Sequence, residues 1–375
     1  MTSGKKDFII TPWEVKGEID YEKLIKKFGT SKITPELLEK IKKHSKELHV
    51  FLKRGIFYCH RDLDLLLKEH EKGTDFVLYT GRGPSGHTHI GHLMPWLFTK
   101  YLQDTFKVKL LFQLTDDEKF LFNEELSLED TQRYAYENIL DIIAVGFDEN
   151  RTEIFVDTEY IKTLYRLSLK VAKKVNFSTA KAVFGFTNST NIGSIFFTSI
   201  QSAPALLESE RRKKKVNVLI PCAIDQDAHF RVTRDVAEQL GYPKPALILS
   251  KLFPSLQGGD KMSASRPETS IFTTDTSEAA RKKIMNAFTG GQATIEEQKK
   301  KGGNPDICPV YQYLLYLFEE DDKKLQEQYI ACRQGTLMCG GHKKYLADRV
   351  LKFLEEHQKK REKARDKVEK FVVRD

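Results

Sequence analysis

No run within the 375 residues is apolar for long enough to cross a bilayer as a helix, which takes membrane-spanning helices out of the reading. The opening residues, Met-Thr-Ser-Gly-Lys-Lys-Asp, lack the apolar centre of a secretory signal and are not the Arg- and Ser-rich amphipath of a transit peptide. The cytoplasm is the expected compartment, with no membrane partner. Cysteine is scarce, five residues in all, and an odd number in such a chain argues for reduced thiols over a disulfide framework. Internal repeats and low-complexity tracts are missing too, which excludes a solenoid or a disordered scaffold. Nor is the charge strongly one-sided: a formal net +8 permits an acidic partner such as RNA without requiring one. What remains, 40% hydrophobic and 30% charged residues, is the composition of an ordinary globule. Its length predicts one large α/β domain with a smaller one beside it.

The stretch Phe76-Val-Leu-Tyr-Thr-Gly-Arg-Gly-Pro-Ser-Gly-His-Thr-His-Ile-Gly-His92 reads as a buried strand, a glycine-rich turn and a helix start carrying two histidines. The amides that open a helix are unpaired donors for anions, so such a turn suits a polyphosphate, and Arg82 adds a fixed positive charge. His89 and His92 lie three residues apart, hence on one face of the helix start, where imidazole N–H groups reach phosphate oxygens. Far downstream, Gly258-Gly-Asp-Lys-Met-Ser-Ala-Ser265 places Lys261, Ser263 and Ser265 in a loop flanked by glycines, suited to closing on a nucleotide and opening again. A glycine-rich turn alone serves many α/β proteins merely to change direction; the second stretch is what gives it meaning.

The pair His89-Ile-Gly-His92 and Lys261-Met-Ser-Ala-Ser265 resembles the ATP motifs of class I aminoacyl-tRNA synthetases. The resemblance implies an α/β fold with a Rossmann-like nucleotide-binding domain. It also implies ATP as substrate with Mg²⁺ accompanying it, His89, His92 and Lys261 as catalytic residues, and an ATP site of Gly81, Arg82, Gly83, His89, Gly91, His92, Lys261, Met262, Ser263 and Ser265. No resident metal is expected. Further blocks narrow the likeness: Thr115-Asp-Asp-Glu-Lys119, Ile200-Gln-Ser-Ala-Pro204, Pro221-Cys-Ala-Ile-Asp-Gln-Asp227, Arg231-Val-Thr-Arg-Asp235 and Gly241-Tyr-Pro-Lys-Pro245 resemble successive stretches of eukaryotic and archaeal tryptophanyl-tRNA synthetases. Asp7-Phe8, Pro12-Trp13, Asp20 to Ile25 and Arg54-Gly-Ile-Phe57 resemble their N-terminal extension. Carried over by position, Tyr79 and Gln113 face the indole N–H, while Glu118, Gln201 and Gln226 hold the amino end of L-tryptophan. The local chemistry agrees, since an indole N–H only donates and a phenol or amide oxygen accepts. The expected reaction is activation of tryptophan by ATP, then transfer to tRNA(Trp), by a homodimer.

The chain divides by pattern. Residues 1–70 form an N-terminal extension with helical periodicity over Tyr21 to Phe28 and Pro35 to Leu48. Residues 71–275 form the catalytic domain, where strands at Phe76–Thr80, Val108–Leu114, Glu153–Val156, Val216–Ile220 and Ala246–Leu249 alternate with helices at Leu93–Phe106, Leu128–Val145, Tyr160–Lys173 and Ala228–Leu240, the rhythm of a mostly parallel covered sheet. A dimer-forming insertion is expected at about 120–210. Residues 276–375 form a helical domain, expected to read the anticodon. Arg211-Arg-Lys-Lys-Lys215 is read as a solvated loop or a guide for the tRNA acceptor end. Asp225 and Asp227 are open between metal contact and helix-start carboxylates. Cys308, Cys332, Cys339 and His342 are similar in spacing to an iron–sulfur pattern of some bacterial tryptophan-specific synthetases, without a fourth thiolate. The rival readings are a tyrosyl-tRNA synthetase, a catalytically silent paralogue with an RNA-binding or signalling role, and an unrelated nucleotidyl transferase.

Overall fold

The computed structural model describes residues 19–259, 261–262 and 266–375, together with the backbone of 9–10 and 15–16. The strands are β1 (Ile9–Ile10), β2 (Val15–Lys16), β3 (Ser31–Lys32), β4 (Phe57–Arg61), β5 (Phe76–Arg82), β6 (Leu110–Leu114), β7 (Thr152–Val156), β8 (Asn217–Ala223) and β9 (Ala246–Ser250). β1 and β2 pair with each other, and the rest form one seven-stranded sheet in the order β3-β4-β9-β8-β5-β6-β7. From β9 to β7 every pair is parallel. The chain runs outward from β5 through β6 to β7, returns to β8, and then runs outward to β9. The direction of winding therefore reverses between β5 and β8, and in such sheets ligands bind beyond the carboxyl ends of the strands at that point.

Successive side chains of β5 alternate between the two faces, as strand geometry requires. Val77 and Tyr79 join one apolar cluster with Leu111, Phe197, Ile220 and Leu247. Leu78 joins the other, with Phe112, Ile248, and helices from both ends of the chain. That second cluster is continuous from Leu37 and Phe51 through the sheet to Leu314, Leu346 and Val350. Apolar burial thus binds the extension, the sheet and the helical region into one body.

The extension does more than pack on the catalytic domain. It contributes β3 and β4, both antiparallel to their neighbours, so the sheet is mixed at this edge. A β-bulge between Phe57 and Cys59 sends residues two apart to opposite faces, Phe57 into one cluster and Cys59 into the other. That phase shift erases the period-two signal by which a strand is read from sequence. β7 and the helices Leu128–Val145, Ile161–Ala172, Phe177–Phe184 and Ile192–Ser202 fall inside the 120–210 span, and the helices Asp116–Phe122 and Pro204–Arg212 straddle its two ends. After residue 276 come the helices Ser277–Met285, Ile295–Lys301, Pro309–Tyr313, Asp322–Arg333 and Cys339–Ala364, with a π-helical turn at Leu314–Phe318. The chain finally returns to the sheet, where the Val373 N–H donates to the Ile154 carbonyl at 2.9 Å. Among the described residues no helix is long and apolar enough to cross a membrane.

Candidate active site

Midway along β5, Tyr79 is fully buried and its hydroxyl donates to Gln113 Oε1 on β6. The same phenol oxygen accepts from Gln201 Nε2 at 2.9 Å, reaching in from the helix Ile192–Ser202. Gln113 in turn donates through Nε2 to both carboxyl oxygens of Asp157, at 2.9 and 2.8 Å. Beside this trio the Glu118 carboxylate accepts from Thr115 Oγ1 and from Lys119 Nζ, each at 2.6 Å. Burial pushes its pKa up, but Lys119 and the hydroxyl outweigh that and hold Glu118 below the usual carboxylate range. Gly83 lies directly beneath: a Cβ there would sit 2.1 Å from Lys119 Cε and 2.7 Å from Glu118 Oε2, so only glycine leaves this pair in place. Gln226 is half-buried in the turn Ile224–Gln226 after β8.

The next turn supplies cationic and imidazole donors. His89 precedes the helix Ile90–Phe106, and its ring stacks on His92 with centroids 3.4 Å apart. The His89 backbone N–H donates to His92 Nδ1 at 3.1 Å, which fixes the neutral His92 ring with its proton on Nε2. Burial, then the Arg82 charge, holds both rings far below the ordinary histidine range. They are neutral donors at neutral pH. Gly91 brings the helix backbone against the His89 ring and Phe253, 3.1 and 3.4 Å from a built Cβ. Arg82 donates to the Gly83 carbonyl, while its Nε and Nη2, together with His89 Nδ1, are enclosed without a partner among the described residues. Burial lowers the Arg82 pKa to about 10, against the pull of Glu118 and Asp141, so it stays charged. An enclosed guanidinium beside a neutral imidazole pair is the kind of donor set that suits an anion.

Lys261 returns to this edge as the motif spacing predicts, and its Nζ lies 2.8 Å from Asp225 Oδ2. Met262 is buried, its N–H donating to the Phe253 carbonyl at 3.0 Å. Phe253 is wedged against Tyr313 and Tyr316 of the helical region. Ser263 and Ser265 lie outside the described residues. Asp227 is completely buried in ion pairs with Arg61 at 2.7 Å and Arg231 at 3.1 Å. Among the described residues no group of three or more His, Cys, Asp or Glu side chains is arranged to hold a metal. Cys308 and Cys332 are buried, and burial, then the nearby Cys308 and Cys339, pushes the Cys332 thiol up to about 11. His342 is bonded to Gln328 at 2.9 Å.

The strand ends thus gather Tyr79, Gln113, Gln201 and Glu118 on one side and Arg82, His89, His92 and Lys261 on the other. Sequence reasoning missed Asp157, which holds Gln113, and the ion pair between Lys119 and Glu118. Asp157 follows directly on the strand expected at Glu153–Val156, but no motif marks it. Residues 71–355 match the family described as tRNA synthetases class I (W and Y). The chain belongs to that family. Its similarity to other class I synthetases runs the full length: it is 55% identical to the tryptophan–tRNA ligase of Pyrococcus furiosus, over 98% of this chain and 94% of the relative. The corresponding protein of Pyrobaculum calidifontis is 50% identical over 98% of each chain. The tryptophanyl-tRNA synthetase of Plasmodium falciparum superposes with a TM-score of 0.87 at 42% identity, over 94% of this chain and 97% of that one. The match to the full-length relatives extends beyond the family's span into the extension and the end of the helical region.

Proposed function

We infer that the protein is a tryptophan–tRNA ligase. It activates L-tryptophan with ATP to tryptophanyl-adenylate and pyrophosphate, then transfers the tryptophanyl group to tRNA(Trp). The observation that carries the reading is the buried trio Tyr79, Gln113 and Gln201 beside the anion cradle of Arg82, His89 and His92. The Tyr79 and Gln113 oxygens accept the indole N–H, and a buried acceptor rejects side chains that leave it unpaired. Glu118, Gln201 and Gln226 take the ammonium end. The tryptophan carboxylate then attacks the α-phosphorus as pyrophosphate leaves, with no covalent enzyme intermediate. Stabilising the charge that grows on the phosphoryl oxygens falls to Arg82, to His92 through Nε2–H, and to Lys261 once it leaves Asp225. Mg²⁺ arrives with ATP, held by phosphates and water more than by side chains.

The remaining parts are assigned by the same logic. The helical region reads the anticodon, and a second copy of the chain covers the exposed apolar side chains Tyr165, Leu169, Phe177 and Ile192, the last 84% exposed. The deciding experiment is amino-acid-dependent exchange of pyrophosphate into ATP, with tryptophan and tyrosine side by side. Exchange with tryptophan alone is expected. Exchange with tyrosine instead would overturn the pocket assignment, and none with either would leave a catalytically silent paralogue.

A further inference from the structure

We propose that Asp157 is a positioning residue for tryptophan selection, fixing the Gln113 amide so that Oε1 faces Tyr79 and the indole while Nε2 faces away. The proposal rests on the tryptophan-pocket reading. An amide has an accepting and a donating end, and a pocket for an N–H needs the accepting end inward. Tyr79 alone does not enforce that choice, because a hydroxyl accepts as readily as it donates. Asp157 does: both its oxygens lie within 2.9 Å of Gln113 Nε2, and the residue is 0% exposed.

Asp157 keeps its accepting face toward Gln113 because its other contact is a second carboxyl. The Asp117 carboxyl lies against it: burial, then the Asp117 charge, raises Asp157, while burial, then the Asp116 charge, raises Asp117 to about 7. A proton shared between two such carboxyls lies between them, away from the amide. The turn Asp157–Glu159 is itself fixed from several sides. Thr158 donates through N–H to Asp116 at 3.2 Å and accepts from Gln132 at 3.0 Å, and Glu159 accepts from Tyr136 at 2.7 Å and Arg374 at 3.1 Å. A support this constrained transmits orientation to the residue it holds.

The test compares tryptophan with its 3-benzothienyl analogue, in which sulfur replaces the ring N–H, as the ratio of kcat/KM in pyrophosphate exchange. The intact protein should favour tryptophan by roughly 10²-fold or more. Asp157→Leu should collapse that ratio by about tenfold or more, with the KM for ATP nearly unchanged; should it fail to fold, Asp157→Ala reads the same quantity. Asp157→Asn should retain the ratio, since its carboxamide oxygen accepts from Gln113 while its nitrogen donates to Asp117. A ratio unchanged in Asp157→Leu but lost in Gln113→Leu would overturn the positioning role and leave the pocket standing. A ratio unchanged in Gln113→Leu would overturn the pocket reading itself. Equal losses for tryptophan, analogue and ATP in Asp157→Leu, or a collapse in Asp157→Asn as deep as in Asp157→Leu, would also sink the proposal.

Discussion

Lys261 is held by Asp225 at 2.8 Å, a state in which its charge is spent on the protein. On the proposed function the lysine exchanges this carboxylate for the ATP phosphates. Lys261→Ala should therefore slow adenylate formation by roughly 10²- to 10³-fold, the usual cost of losing one donor to developing charge, while tryptophan binding measured by calorimetry stays nearly intact. Lost binding with unchanged turnover would contradict the assignment. Gln113→Ala works in the other direction. It removes the amide oxygen proposed to accept the indole N–H, at about 1–3 kcal/mol of binding, or roughly 5- to 150-fold in the KM for tryptophan. The KM for ATP should barely move, and equal loss of both would make the residue structural. At this scale the motif residues were legible because chemistry restricts them to few types at fixed spacing. Asp157 was not, because a carboxylate that works by holding another side chain carries no local pattern.

Among elements, the glycine-rich turn is shaped by what lies over it. Glu118 and Lys119, from the helix Asp116–Phe122, occupy the space a side chain at residue 83 would need. Gly83→Ala should push that pair outward and raise the KM for tryptophan about tenfold, by the loss of one charge-assisted contact; an unchanged KM would mean that Lys119 simply swings aside. The parallel strands were legible from apolar runs, and the helix Leu128–Val145 was read to its end residues because Ser127 caps it and Gly146 ends it in the left-handed region, φ 95°. β4 was hidden by its bulge. The helices Phe177–Phe184 and Ile192–Ser202 were hidden by their aromatic, β-branched and serine-rich sequences, whose helical state is imposed by packing against Phe230, Val232 and neighbours more than by propensity.

Across the whole molecule, one apolar cluster links the extension, the sheet and the helical region. Arg54 ties the extension to the helical region through Asp322 at 2.8 Å and the Leu315 carbonyl at 2.6 Å. Parts joined in this way unfold together, so a proton taken up anywhere on unfolding loads the same transition. Three histidines in three parts of the chain do this: His49 in the extension, His229 below the pocket and His342 in the helical region, each lowered by burial to about 4. In the unfolded chain they titrate near about 6.5. Between those values the unfolded state binds more protons, so their contribution is complete above pH ~6.5 and is lost as the pH falls toward ~4. Asp117, raised to about 7, acts with the opposite sign over part of that window, because the folded state holds its proton. Three carboxyls, Asp116, Asp117 and Asp157, therefore oppose seven lowered histidines once His44, His60, His89 and His92 are included. Urea unfolding at pH 7, 6 and 5 should show one transition whose midpoint falls with pH. His342→Gln should flatten that slope by up to one proton, roughly 1.4 kcal/mol per pH unit. Two separated transitions would break the argument at the shared core, and an unaltered slope in His342→Gln would break it at the histidine.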